Sequence, residues 1–104
     1  MNDDDIVKRN KIRRLRGSLL RTARTAYGDD AGVAIENLHH VAGRSRWTEA
    51  QILAEVQYLI DMGMLERREF RRDKLDREPL CDFRLTARGI QLLNGDIEEP
   101  SIEL

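Results

Sequence analysis

Residues 48–63 constrain the fold more than any other stretch, because they have the pattern of one complete helix followed directly by a glycine. Thr48 and Gln51 have the spacing of a capping box, in which each side chain accepts a hydrogen bond from the other residue's backbone N–H. The apolar stripe of this helix comprises Ile52, Val56, Leu59 and Ile60. Gly63 can adopt the positive φ that ends many helices. A helix with fixed ends therefore lies at the centre of the chain.

The elements around this helix follow from periodicity. We predict a first helix over 5–27, a short strand at 32–34, a second helix over 35–42, strands within 64–70 and 80–86, and a last helix over 86–95. The first helix has one apolar face, formed by Ile12, Leu15, Leu19, Ala23 and Ala26. In the second strand Cys81, Phe83 and Leu85 alternate with Leu80, Asp82 and Arg84, which predicts a half-buried strand. The last helix is expected to bury Ile90 and Leu93.

This order of elements predicts an α+β, mainly helical fold. Two short helices joined by a tight turn and followed by a hairpin are typical of a winged helix-turn-helix. We therefore expect a three-helix core, a two- to three-stranded β wing and a short C-terminal helix within a winged-helix domain over 1–95. Residues 96–104 contain four acids and no base, and we expect them to be an acidic flexible tail.

Several segments also resemble known winged-helix families. "LIDMGMLERREF" and "FRLTARG" are similar to MarR and PadR type proteins, where a helix ending in Gly enters the wing and a Leu-Thr-x-x-Gly corner leaves it. The chain more closely resembles a small winged-helix family of Mu-like transposable phages in "LRGSLLR", "WTEAQILAEVQYLIDMGML", "LTARG" and "LNGDIEEP". It differs from that family in a longer charged wing and a more basic first helix. The resemblance implies the fold and a prophage setting, and it carries over no functional residues.

A winged helix binds DNA by laying its third helix, here the predicted helix over 48–62, in the major groove, while the wing contacts the backbone. We thus predict a DNA-binding transcriptional regulator. The candidate contacts are Arg44, Ser45, Arg46, Gln51, Ala54, Tyr58, Arg71, Arg72, Lys74 and Arg77. Glutamine can pair with adenine through two hydrogen bonds, so Gln51 is either a base contact or only a cap partner.

Charge supports a second interpretation. The net charge is −1, and the predicted third helix carries Glu49, Glu55 and Asp61 without a base between Trp47 and Met64. A winged helix used as a protein-interaction module, without DNA binding, therefore stays open. The first helix has eight basic residues and no acid between Ile6 and Gly28. It could form a homodimer, although its arginine-rich outer face argues against a purely apolar seam, so a monomer also stays open.

Enzyme chemistry has little support in the sequence, and we expect no enzyme activity. His39 and His40 are adjacent on a predicted helix, about 100° apart, and cannot easily face one metal. Cys81 lies on an apolar strand face, and there is no glycine-rich phosphate loop. We predict no cofactor, metal or small-molecule ligand. An apolar run approaching ~20 residues is also lacking, as is a secretory signal, so we expect a cytoplasmic protein without membrane contact.

Overall fold

The structure is a computed structural model that describes residues 3–27, 47–70 and 80–104. Its elements are α1 (Asp3–Arg24), α2 (Glu49–Asp61), β1 (Leu65–Phe70), β2 (Leu80–Leu85) and α3 (Ala87–Leu93). The α+β, mainly helical class predicted from the sequence is confirmed in this part of the chain. The helix predicted as the third is α2. The predicted strand at 32–34, the helix over 35–42 and the hairpin tip at 71–79 lie outside the described residues.

The first helix begins two residues before the predicted start and ends at Arg24, after which turns continue to Tyr27. Acids in its first turn and arginines in its last turn both suit the helix dipole. Leu15, Leu19 and Ala23 are buried as predicted, and Leu20 is fully buried as well. The buried face of α1 is therefore wider than the predicted stripe. This width fits its packing against α2, β2 and α3.

Helix α2 has the ends that its sequence predicts. The Gln51 amide donates to Thr48 Oγ1 at 3.2 Å, and the Thr48 amide donates to Gln51 Oε1 at 2.8 Å. Gly63 has φ +77°, and the Met64 amide donates to the Leu59 carbonyl, as in a Schellman motif. Ile52, Val56 and Leu59 are buried in the core, while Ile60 is half-buried.

The two strands pair antiparallel in a register that runs from Leu65 opposite Leu85 to Phe70 opposite Leu80. Thr86 closes the base of this hairpin, because its amide donates to the Met64 carbonyl and its hydroxyl donates to the Gly63 carbonyl. The same hydroxyl oxygen accepts from the Gly89 amide and caps α3. A Cβ on Gly89 would meet the Met64 carbonyl and the Leu85 side chain. The Leu-Thr-x-x-Gly corner thus joins the end of α2, the hairpin and α3 through the hydrogen bonds of Thr86 and through a close approach at Gly89 that only glycine allows.

Two details of the second strand and last helix differ from the predictions. Asp82, expected on the solvent side of β2, is 2% exposed, and its carboxylate binds Arg68 directly across the hairpin at 2.8 Å. In α3 the fully packed residue is Leu92, whereas Ile90 and Leu93 are half-buried. Alternation predicted which residues share a face of β2, but it did not predict that both faces would be covered at Asp82.

The segment over 96–104, expected to be a flexible tail, instead packs against α1 and α2. Ile102 is 6% exposed and belongs to the hydrophobic core. The Glu103 amide donates to the Arg13 carbonyl at 3.0 Å, and Ser101 contacts side chains of both helices. The reason for the difference is that Ile102 buries apolar surface in a segment whose charged residues are all acidic. A single apolar residue of this kind produces no periodic pattern.

Candidate functional site

Three of the predicted DNA contacts lie in the described part of the chain, all on α2. Gln51, Ala54 and Tyr58 differ in the contacts that their side chains make within the protein. The other predicted contacts lie outside the described residues; they are Arg44, Ser45, Arg46, Arg71, Arg72, Lys74 and Arg77. The geometry of the candidate interface is therefore the geometry of the α2 surface.

The Gln51 side chain is exposed, but its carbonyl oxygen accepts the Thr48 amide in the capping box. Ala54 is exposed and carries no polar group. Tyr58 is half-buried, and its hydroxyl donates to Ser101 Oγ at 2.6 Å. Its ring also lies under the Arg16 guanidinium, 3.7 Å from Cζ to the ring centroid. Of these three residues, Ala54 is free of intramolecular polar contacts, and Tyr58 is the most enclosed.

The exposed face of α2 runs the full length of the helix. It comprises Glu49, Ala50, Gln51, Leu53, Ala54, Gln57 and Asp61. Gln57 Nε2 donates to Asp61 Oδ1 at 2.9 Å, so the C-terminal half of this face is polar and internally paired. The N-terminal half has two alanines and Leu53, whose exposure is 42%. We call this surface the α2 face. Its two alanines near the capped end have short side chains, and it carries no Lys or Arg among its described residues.

Arg16 connects the two long helices and the C-terminal segment. Its Nε atom lies 2.7 Å from Glu55 Oε2, and both side chains are only 16% exposed. Its Nη1 atom donates to the Ser101 carbonyl at 2.9 Å. The acid Glu55, which the sequence placed beside the apolar stripe, is therefore turned toward α1 and away from the α2 face. The sequence contains a signal for this role of Arg16. Arg16 precedes Leu19 and Leu20 by three and four residues, which places it next to them on the buried side of α1.

Helix α1 carries a band of exposed cations. These are Lys8, Arg9, Lys11, Arg14, Arg21 and Arg24. Arg14 is 3.6 Å from Glu103, Arg24 donates to Asn94, and Arg21 donates to Ser18 on the same helix. Within the described residues, Lys8, Arg9 and Lys11 form no ion pair. The N-terminal half of α1 thus has cationic groups available for a ligand.

A groove of about 1000 Å³ lies between this half of α1 and the C-terminal segment. The α1 wall comprises Asp5, Ile6, Lys8, Arg9, Asn10, Ile12, Arg13 and Arg16, and the opposite side comprises Tyr58, Glu99, Pro100 and Ser101. Four lining side chains are cationic and two are acidic. Ile6 is 44% exposed, so the wall also offers apolar surface. The basic residues of this helix are evident in the sequence, but the groove is not, since its second wall requires the packing of residues 99–101.

The described residues contain no group of three or more His, Cys, Asp or Glu arranged to hold a metal ion. Among the same residues, none of the helices combines the length and apolar character needed to cross a bilayer. The two surfaces on which a function can be argued are therefore the α2 face and the α1 groove. No protein-family model, no curated protein and no solved structure matches this chain.

Proposed function

We propose that this chain is a winged-helix domain that binds double-stranded DNA, with α2 as the recognition helix and the β1–β2 hairpin as the wing. The observation that carries the proposal is the α2 face, which stays exposed from its capped N-terminus to Asp61 and is followed, through Gly63, by an antiparallel hairpin. A recognition helix enters the major groove with its N-terminal residues nearest the bases. The thin, alanine-containing end of α2 suits such an approach.

The chemistry of this end allows both backbone and base contacts. The N-terminus of a helix attracts phosphate through its dipole and free N–H groups. Ala50 and Ala54 leave room for bases to approach the helix, and the Glu49 carboxylate can accept from a cytosine amino group. Arg44, Ser45 and Arg46 directly precede α2 in the sequence, and the cations of 71–79 belong to the proposed wing. In this proposal those residues supply most of the phosphate contacts, since the α2 face has no cationic side chain and offers only the N-terminus of the helix.

A titration of fluorescently labelled duplex DNA from a prophage regulatory region, at low and at moderate salt, tests the proposal. We expect binding that weakens as salt rises, because phosphate contacts release counterions. Ala54→Glu should weaken binding about tenfold or more, since it places a carboxylate at the centre of the α2 face; a tenfold loss corresponds to about 1.4 kcal/mol. Ala87→Glu is the matched control, because Ala87 is an exposed alanine in another helix. Absence of binding at low salt would refute the proposal.

A specific observation supports a second candidate, a protein-interaction module without DNA contact. The α2 face has Glu49 and Asp61 but no described cation, and Leu53 exposes 42% of its surface in the middle of it. An exposed leucine beside small residues is a suitable contact for an apolar patch of another protein. Under this candidate, the duplex titration is negative. Leu53→Asp should then abolish binding of a phage or host protein that the wild type captures. Leu104→Asp, at a site 51% exposed, should leave that binding unchanged.

The setting and the assembly are part of the proposal. The resemblance to winged-helix proteins of Mu-like phages supports a regulator that acts on prophage or bacterial promoters in the cytoplasm. A dimer would match a DNA site with two half-sites. Helix α1, the longest of the described helices, is the proposed dimer contact. Light scattering at two protein concentrations distinguishes a homodimer from a monomer. A monomer would predict a single half-site in the bound DNA.

A further inference from the structure

We propose that the α1 groove is a docking site for a short acidic peptide segment of a partner protein, with an aliphatic side chain as its anchor. This interaction is separate from the proposed DNA binding, since it uses α1 and the C-terminal segment and leaves the α2 face free. The groove is lined by cations and by apolar surface, and α1 already binds an acidic segment of this chain.

Helix α1 already binds the C-terminal segment of the chain. Ile102 inserts its side chain into the core, and the neighbouring Glu103 carboxylate lies 3.6 Å from Arg14 Nε. The Arg16 guanidinium donates to the Ser101 carbonyl at 2.9 Å. Helix α1 thus binds an acidic segment through three features. They are a buried aliphatic side chain, an acidic neighbour that pairs with an arginine, and a backbone carbonyl that accepts a hydrogen bond from an arginine. The groove continues from this contact toward the N-terminus of α1.

Further cations and apolar side chains line the rest of the groove. Lys8 and Arg9 line it without an ion pair among the described residues, and Arg13 extends the cationic wall toward Arg16. The Arg13 Nε atom is buried, and its N–H has no hydrogen-bond acceptor among the described residues. Ile6 and the half-buried Ile12 provide apolar surface between these cations. Carboxylates of a bound segment can pair with the cations while an aliphatic side chain covers the isoleucines.

The length and the lining of the groove favour a short peptide as its ligand. From Asp5 to Arg16 the helix rises about 17 Å, which matches about five residues of an extended peptide. Nucleic acid would find phosphate partners here, but the groove also presents two isoleucines, which neither phosphates nor sugars complement. A peptide that alternates acids with an aliphatic residue satisfies both parts of the lining. The observations therefore favour a peptide over a nucleic acid backbone.

The test is fluorescence anisotropy of the full chain with three labelled peptides at about 0.15 M salt, where exposed charges more than about 8 Å apart are largely screened. The acidic peptide is Asp-Glu-Ile-Glu-Asp, the uncharged peptide is Asn-Gln-Ile-Gln-Asn, and the peptide without an anchor is Asp-Glu-Gly-Glu-Asp. We expect the acidic peptide to bind at least about tenfold more tightly than either of the others, because several charge-assisted contacts and one buried side chain are lost in turn. Equal binding of all three peptides, or no binding of the acidic one, would overturn the proposal.

A pair of charge-reversed variants locates the site. Lys8→Glu with Arg9→Glu reverses two cations of the groove and should weaken the acidic peptide about tenfold or more. Lys11→Glu with Arg21→Glu makes the same change in net charge on the same helix outside the groove, and should alter affinity less than about twofold. Circular dichroism and thermal unfolding verify that both variants fold. Equal loss in both would mean that the peptide responds to net charge alone, and the proposal fails.

Other occupants give distinct results. If light scattering shows a wild-type dimer that Lys8→Glu with Arg9→Glu converts to a monomer, and the peptide does not bind, the groove receives a second copy and the proposal is wrong. If the same variant no longer binds duplex DNA, and the peptide again does not bind, the groove contacts nucleic acid and the proposal is also wrong. Peptide binding that Ala54→Glu leaves unchanged supports a site separate from the α2 face. Failure of DNA binding alone therefore leaves the peptide result intact.

Discussion

Gly17 of α1 lies directly beneath the backbone carbonyl of Glu103, so that a Cβ atom at position 17 would overlap the carbonyl oxygen. The Glu103 amide donates to the Arg13 carbonyl one turn earlier, which brings the C-terminal segment into backbone contact with the helix. A glycine in the interior of a helix costs about 0.5–1 kcal/mol relative to alanine. At this position the close approach of the segment offsets that cost.

We predict that Gly17→Ala lowers the free energy of unfolding by about 1–3 kcal/mol, because overpacking against the Glu103 backbone outweighs the gain in helix propensity. Urea denaturation measures the change. Lys11→Ala, at an exposed position of the same helix, is the control and should not destabilise the protein. In a chain shortened after Pro100 the sign should reverse, and Gly17→Ala should stabilise. A full-length Gly17→Ala protein more stable than wild type would contradict the contact.

The anchor of the C-terminal segment gives a second prediction. Ile102 is 6% exposed within the core, whereas Leu104, two residues later, is 51% exposed. Ile102→Ala should therefore lower the free energy of unfolding by about 2–4 kcal/mol, the usual range for loss of a buried aliphatic side chain. Leu104→Ala should change it by less than about 0.5 kcal/mol. Similar small effects of both substitutions in urea denaturation would mean that residues 96–104 behave as the flexible tail expected from the sequence.

The local elements of this fold were predictable because their signals are local. The Thr48 capping box, the Gly63 stop and the alternation around Phe83 each depend on residues within a few positions of one another. The C-terminal segment was not predictable in this way. Its contacts join residues far apart in the chain, such as Arg16 and Ser101, and the isolated Ile102 gives no period.

The candidate site shows the same division. The exposure of Ala54 follows from the helical stripe, because residues away from Ile52 and Val56 must face outward. Tyr58 was also expected to face outward, but Arg16 and Ser101 enclose it from outside the helix. The groove beside Tyr58 exists only once the C-terminal segment is in place. Sequence periodicity therefore predicted the α2 face and could not predict the α1 groove.

Arg16 gives a third prediction. Its guanidinium donates to Glu55 and to the Ser101 carbonyl while stacking on the Tyr58 ring. A lysine has a single ammonium group on a flexible stem and cannot keep this planar arrangement. Arg16→Lys should therefore lower the free energy of unfolding by about 1–3 kcal/mol, the range for charge-assisted hydrogen bonds. Thermal and urea denaturation both report this change.

The matched control is Arg21→Lys, since Arg21 is exposed on the same helix and donates only to Ser18 among the described residues. Its stability should remain within about 0.5 kcal/mol of wild type. A double-mutant cycle with Glu55→Gln should give a coupling energy of about 0.5–3 kcal/mol between positions 16 and 55. A coupling energy near zero would show that the 2.7 Å ion pair makes no energetic link between α1 and α2.

The hairpin gives the last prediction, through two neighbouring arginines of β1. Arg68 binds Asp82 at 2.8 Å, and the Asp82 side chain is only 3% exposed, whereas Arg67 forms a 3.6 Å pair with Glu69 in which both side chains are mostly exposed. Arg68→Met should lower the free energy of unfolding by about 1–3 kcal/mol, since it removes a cation from a buried carboxylate. Arg67→Met should have an effect near zero, because exposed ion pairs contribute little.

Combining Arg68→Met with Asp82→Leu separates this explanation from simple loss of side-chain packing. A buried ion pair can often be replaced by apolar residues without loss of stability, since both desolvation penalties disappear. The double variant should therefore be more stable than Arg68→Met alone in urea denaturation. If Asp82→Leu instead adds further destabilisation to Arg68→Met, the main role of Asp82 is not its pairing with Arg68. The charge of position 82 would then serve another contact of the hairpin.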